Sequence, residues 1–216
     1  MTKREAPEVL FLLATGCAHC PSVLEGLSQL LKQGEIGRME VVNIVEHPEI
    51  AQKVGTRSVP WTRIGAFELE GMLTPAELSQ WVDLASRNKG IDAYFSHLLE
   101  IQRPDKVISW VKSKQDSLPL LLSLLESDQT PMAARIGVGV VLEELQGSYL
   151  LQSTLPTLIA LSQSSHANTR ADAAHYLGLT HSSDAIDRVR ELHNDENPDV
   201  REIAADSLNL LQTEMK

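Results

Sequence analysis

A continuous apolar run, Val9-Leu10-Phe11-Leu12-Leu13, leads within four residues into Cys17-Ala18-His19-Cys20-Pro21. From Ala18 onward the apolar residues Val23, Leu27, Leu30 and Leu31 recur at helical spacing, and Gly34 is placed to end that helix. A short run without polar alternation is the pattern of a strand buried on both faces, which restricts this part of the chain to an α/β layer. Glu40 to Val45 reads as a second strand, and Glu49 to Val54 as a short helix closed by Gly55. Trp61 to Ile64 and Ala66 to Leu69 read as a hairpin around Gly65, with Gly71 marking its exit. Thr74-Pro75-Ala76-Glu77 is a capping box with proline at the first helical position, and Leu78, Trp81, Val82 and Ala85 give that helix its buried face. The predicted order is β-α-β-α-β-β-α, and the pattern breaks at Asn88-Lys89-Gly90. The sequence therefore predicts one domain over residues 1–90 and a second over 91–216.

From Ile91 onward the pattern holds no strand signal, only amphipathic helices of about 10–15 residues separated by Ser, Asp, Asn and Pro. These helices repeat. Arg135 to Leu142, Arg170 to Leu177 and Arg201 to Leu208 align as arginine, two residues, two small or aliphatic residues, two residues, leucine, at spacings of 35 and 31. Each block follows another amphipathic helix (118–125, 155–161, 185–192), so three helical hairpins are predicted, the period of an α-solenoid. Asn197-Pro198-Asp199-Val200-Arg201 with Ala204, Ala205 and Leu208 resembles a HEAT repeat of the short variety. Residues 91–115 are left as either a divergent repeat or a capping helix pair. The resemblance implies that Arg135, Arg170 and Arg201 pair with acidic groups of the adjoining repeat and hold the stack together.

The two cysteines are the only ones in the chain, which excludes a disulfide framework and a four-cysteine zinc site. Their position between a buried strand and a helix bears on their chemistry. A sulfur at a helix N-terminus faces unpaired amide N–H groups and the positive end of the macrodipole, which favour thiolate over thiol. Cys17 is therefore expected to be the nucleophile. Cys20, three positions on along the same helical face, can close a disulfide and resolve a mixed intermediate. His19, when protonated, adds a cation beside the sulfurs and is the expected tuner of the thiolate. Three roles for the pair stay open: redox exchange, a vestigial or regulatory disulfide, and binding of a soft metal ion such as Cu(I) or shared zinc. Redox exchange fits the context, so no metal site is assigned.

The Cys-x-x-Cys at a strand-to-helix turn, followed about forty residues later by Val59-Pro60, resembles the thioredoxin superfamily over residues 9–87. The resemblance implies that Val59-Pro60 is a cis peptide facing the cysteines and that the backbone at Val59 pairs with an extended substrate segment. Trp61, the next residue, either contacts substrate beside Pro60 or packs around the hairpin. Three features depart from typical thioredoxins: Gly16 stands where they have tryptophan, Ala18-His19 stands where they have Gly-Pro, and Leu12 and Leu13 occupy the strand where they bury a carboxylate. Cys-x-x-Cys-Pro is nearer to glutaredoxin-like redoxins, yet no glutathione-binding signature accompanies it.

Charge narrows the partners. The net charge is −10; residues 1–90 hold 9 basic and 11 acidic side chains, and residues 91–216 hold 10 and 18. Such a surface repels phosphate backbones and anionic lipid, so neither nucleic acid nor membrane is an expected partner. No export signal and no membrane-length apolar run is read from the sequence, which makes the cytoplasm the expected location. The function expected is that of a thiol–disulfide oxidoreductase without cofactor, acting on a protein client that carries a disulfide or reactive thiol and is docked by the helical repeats. The alternative is a non-catalytic adaptor or redox-switched scaffold. No phosphate loop, Ser-His-Asp arrangement or paired-histidine metal motif supports another enzyme class.

Overall fold

The computed structural model describes residues 5–127 and 129–214. These divide into two compact units, one ending at Gly90 and one beginning at Ile91.

The first unit runs β1 (Glu8–Leu13), α1 (Cys20–Lys32), β2 (Arg38–Asn43), α2 (Pro48–Val54), β3 (Trp61–Ile64), β4 (Phe67–Glu70) and α3 (Pro75–Ser86). One sheet forms in the order β2-β1-β3-β4, with β1 parallel to β2 and antiparallel to β3. The parallel pair requires a crossover, and α1 supplies it. Alternation along β1 sends successive side chains to opposite faces. Leu12 joins Val42 and Trp61 in a cluster completed by Leu10, Ile50, Val54 and Val59, so α2 covers that side. Val9 and Phe11, also buried, point to the side of α1 and α3. Those two helices approach closely at Gly26, where a Cβ would stand 2.7 Å from Leu78 Cδ1. The capping box at Thr74 is formed as the sequence predicts: Glu77 N–H donates to Thr74 Oγ1, and Thr74 N–H donates to Glu77 Oε2 at 2.7 Å.

Two boundaries differ from the sequence reading. Helix α1 begins at Cys20 rather than Ala18, with His19 at its N-cap and Pro21 in its first turn, where a missing N–H costs nothing. Strand β2 spans Arg38–Asn43 rather than 40–45, although the apolar residues continue to Val45. Asn43 ends it: the Ile44 N–H still donates to the Leu13 carbonyl at 2.9 Å, but the Asn43 Oδ1 accepts the Val45 N–H at 3.1 Å, a local turn that takes the backbone out of the ladder.

The second unit is helical: α4 (Ile91–Glu100), α5 (Pro104–Ser113), α6 (Leu118–Leu122), α7 (Met132–Glu144), α8 (Tyr149–Gln152), α9 (Leu155–Leu161), α10 (Ala167–Leu179), α11 (Ile186–Leu192) and α12 (Pro198–Glu214). Short 3₁₀ turns extend α6 to Leu125 and precede α11 from Ser183. Residues 91–113 form the helix pair α4–α5, which packs against α7. Helix α10 packs between α9 and α12, and most of its side chains are buried.

The recurrent arginines hold the turns within repeats and the contacts between them. Arg170 donates to the Ser164 and Ser165 carbonyls at 3.0 and 3.2 Å, just after α9, and forks onto Asp195 of the next repeat at 2.8 and 2.9 Å. Arg135 does the same with the Leu125 carbonyl and Asp172. Arg201 caps the Asp195 and Glu196 carbonyls at 2.7 and 3.0 Å. Each guanidinium thereby satisfies carbonyls at or just beyond the end of the preceding helix. The Arg170 fork holds the Asp195 carboxyl below the usual carboxylate range.

Candidate functional site

Strand β1 delivers the chain to a tight turn. Cys17 N–H donates to the Ala14 carbonyl at 3.2 Å, and Gly16 occupies the third turn position with φ +82°. That conformation suits a residue without Cβ, which explains glycine where thioredoxins carry tryptophan. The turn places Cys17 two residues before the N-cap of α1, which is His19. Cys17 is half-buried and Cys20 is 4% exposed, so the first sulfur is the more accessible one. The two are joined as a disulfide with Cα atoms 5.5 Å apart.

The Cys20 backbone N–H donates to Cys17 Sγ at 3.2 Å. This N–H is one of the groups a helix start leaves without an intrahelical acceptor, and here the sulfur takes it. The first turn of α1 contains no acidic residue, so no carboxylate competes for the positive end of the helix dipole. His19 is exposed and its side chain makes no capping bond. Past Glu8, β1 carries no acidic residue, and Leu12 near its end clusters with Val42 and Trp61.

The second constellation reaches the same edge of the sheet. Leu12 pairs with Trp61 across β1 and β3, so the chain leaving β1 toward Ala14 and the chain entering β3 from Pro60 lie at one end of neighbouring strands. The Val59–Pro60 peptide is cis. Thr56 holds this loop, its Oγ1 accepting the Ser58 N–H and donating to the Ser58 carbonyl, both at 3.2 Å. The Pro60 carbonyl accepts the Gly71 N–H at 2.8 Å, which ties the loop to the exit of the hairpin. Pro60 is buried and Val59 half-buried. Trp61 is 0% exposed and packs with Leu12 and Val42.

Two residues of this edge were not singled out by sequence patterning. Asn43 Nδ2 donates to Thr15 Oγ1 at 3.1 Å, fastening the cysteine turn to the end of β2. Asparagine is disfavoured in strands, so Asn43 inside Val-Val-Asn-Ile-Val was the available signal. Thr56 carries no comparable signal; its hydroxyl matters only because the loop folds back on it.

Among the described residues no group of three or more His, Cys, Asp and Glu side chains is arranged to hold a metal ion, and no helix is long and apolar enough to cross a membrane. Residues 8–83 match the family model described as thioredoxin domain, and residues 155–214 match that described as HEAT repeats. No curated protein matches the chain. A sheet with a Cys-x-x-Cys pair at its first strand-to-helix turn and a cis-proline at the same edge, followed by helical hairpins with a recurrent arginine, agrees with both matches: the chain is a thioredoxin-like α/β domain followed by HEAT-like helical repeats.

Proposed function

We propose that the protein is a thiol–disulfide oxidoreductase acting on a protein client that the helical half holds. The observation carrying this reading is the half-buried Cys17 sulfur receiving the Cys20 amide N–H at 3.2 Å at the start of α1. A group that accepts a hydrogen bond there as a disulfide sulfur accepts a stronger one as a thiolate. In the cycle, the Cys17 thiolate attacks one sulfur of a client disulfide and expels the other as a thiolate. Cys20, deprotonated, then attacks the Cys17 sulfur, releasing the client's second thiolate and closing Cys17–Cys20. Two electrons pass from the pair to the client, and an external dithiol of a reducing compartment such as the cytoplasm restores them. Val59 offers its backbone to the client segment, Pro60 fixes the loop, and His19, exposed beside the sulfurs, adds positive charge when protonated.

The test is reduction of insulin by dithiothreitol with the full chain as catalyst. The wild type should exceed the uncatalysed rate, Cys17→Ser should fall to it, and Cys20→Ser should accumulate a mixed disulfide at Cys17. A wild-type rate equal to the uncatalysed one would instead support an adaptor whose cysteine pair does not turn over.

A further inference from the structure

Helix α7 buries Ala134, Val138, Val141 and Leu142 on one face. Its opposite face is also apolar: Met132, Ile136 and Val140 are 70%, 63% and 43% exposed. Four-residue spacing puts these three in one line about 12 Å long. The repeat does not require this. At the aligned positions of the next two repeats stand Ala167, Ala171 and His175, then Pro198, Glu202 and Asp206, so neither of those repeats carries a line of large apolar side chains where α7 exposes one. A water-facing apolar line that the fold does not demand marks an interaction surface.

Its charge says what kind. Glu143, three residues beyond Val140, continues the line with its side chain 61% exposed, and its Oε1 stands 3.9 Å from Nε2 of the half-exposed His175 of α10. The last turn of α7 carries no basic residue, so the negative end of the helix dipole lies beside that carboxylate. Arg135, the cation within α7, is turned away to Leu125 and Asp172. The surface is thus apolar along its length and ends in an exposed carboxylate beside His175. A second copy of this chain laid α7 against α7 would bring another apolar line with the same acidic end.

We propose that Met132, Ile136, Val140 and Glu143 form the docking surface for a cationic amphipathic segment of the client, its apolar side chains lying along α7 and a Lys or Arg meeting Glu143. This rests on the reading of the helical half as the client-holding part, and it names the site and the partner chemistry.

The test uses the full chain with Cys17–Cys20 oxidised, so that no thiol exchange contributes to binding. Two fluorescein-labelled amphipathic helical peptides serve as probes, with identical leucine positions and either Lys or Glu on the polar face, read by anisotropy. The Lys peptide should bind about ten-fold or more tightly than the Glu peptide. Ile136→Ser should weaken the Lys peptide about ten-fold, and Glu143→Gln about three-fold. Both side chains are exposed, so the variants should keep the wild-type melting curve, and they should reduce a small aromatic disulfide at the wild-type rate. Equal binding of the two peptides would overturn the proposal, as would Lys-peptide binding indifferent to Ile136→Ser, or a wild-type dimer that Ile136→Ser dissociates. If the reduced protein failed to reduce any disulfide, the redox reading would fall while the comparison of peptide affinities stood.

Discussion

The sulfur of Cys17 owes its surroundings to a handful of neighbours, each with a distinct physical task. Gly16 lets the backbone turn at φ +82°, the Cys20 amide donates to the sulfur, and Asn43 holds Thr15 and with it the whole turn. Gly16→Ala meets open space, since nothing lies within 4 Å of a Cβ there, but it must adopt the left-handed region. It should therefore destabilise the oxidised protein by about 1–2 kcal/mol through backbone strain alone, measured by urea unfolding. Asn43→Ala should cost about 1 kcal/mol by the same measurement and slow insulin reduction as the turn loosens. The pair Cys17 and Cys20 was legible in the sequence because the chemistry follows from spacing and context. The Asn43–Thr15 bond joins residues 28 positions apart, and only the register of β1 on β2 brings them together.

At the scale of elements, the recurrent arginines show what a repeat needs. Arg170 is nearly buried, its side chain 9% exposed like that of Asp195, and it satisfies two carbonyls beyond the carboxylate. Removing it leaves a buried carboxylate and open carbonyls, so Arg170→Ala should cost about 3–5 kcal/mol in the helical half, read by thermal melting. Asp195 is held below its ordinary range, first by the hydrogen bond from Arg170. A depressed carboxylate contributes stability above its unfolded value, and that contribution is lost as pH falls through the folded one. The stability gap between wild type and Asp195→Asn should therefore be full near neutral pH and should close below about pH 4. The arginine periodicity was visible as a pattern, and pairing with the adjoining repeat follows for Arg135 and Arg170. The capping of carbonyls in the turn between paired helices was not visible, since it depends on how each hairpin turns. The end of β2 was misread for a related reason: apolar alternation continues to Val45, while one asparagine side chain redirects the backbone at Asn43.

For the whole molecule, two units with different work account for the sequence. The first concentrates a reactive pair and a cis-proline loop at one sheet edge; the second presents helices whose buried faces are spent on stacking and whose α7 keeps an apolar line in water. On the proposed function, a client held by the helical half meets Cys17 in an intramolecular encounter, which would raise its local concentration there without any new contact. Both halves were readable because hydrophobic period separates them: continuous short runs and a hairpin before Gly90, helical spacing alone after it. The exposed α7 line was not, because sequence alone does not tell an apolar residue that packs from one that faces water. The proposed reaction, however, depends on one property of one sulfur. Alkylation of the reduced full-length protein by iodoacetamide, followed against pH with each cysteine quantified by mass spectrometry, measures it. Cys17 should reach half-maximal reactivity at least about one pH unit below a free cysteine peptide, with Cys20 lagging behind it. Profiles for both cysteines that coincide with the free peptide would contradict the proposed chemistry.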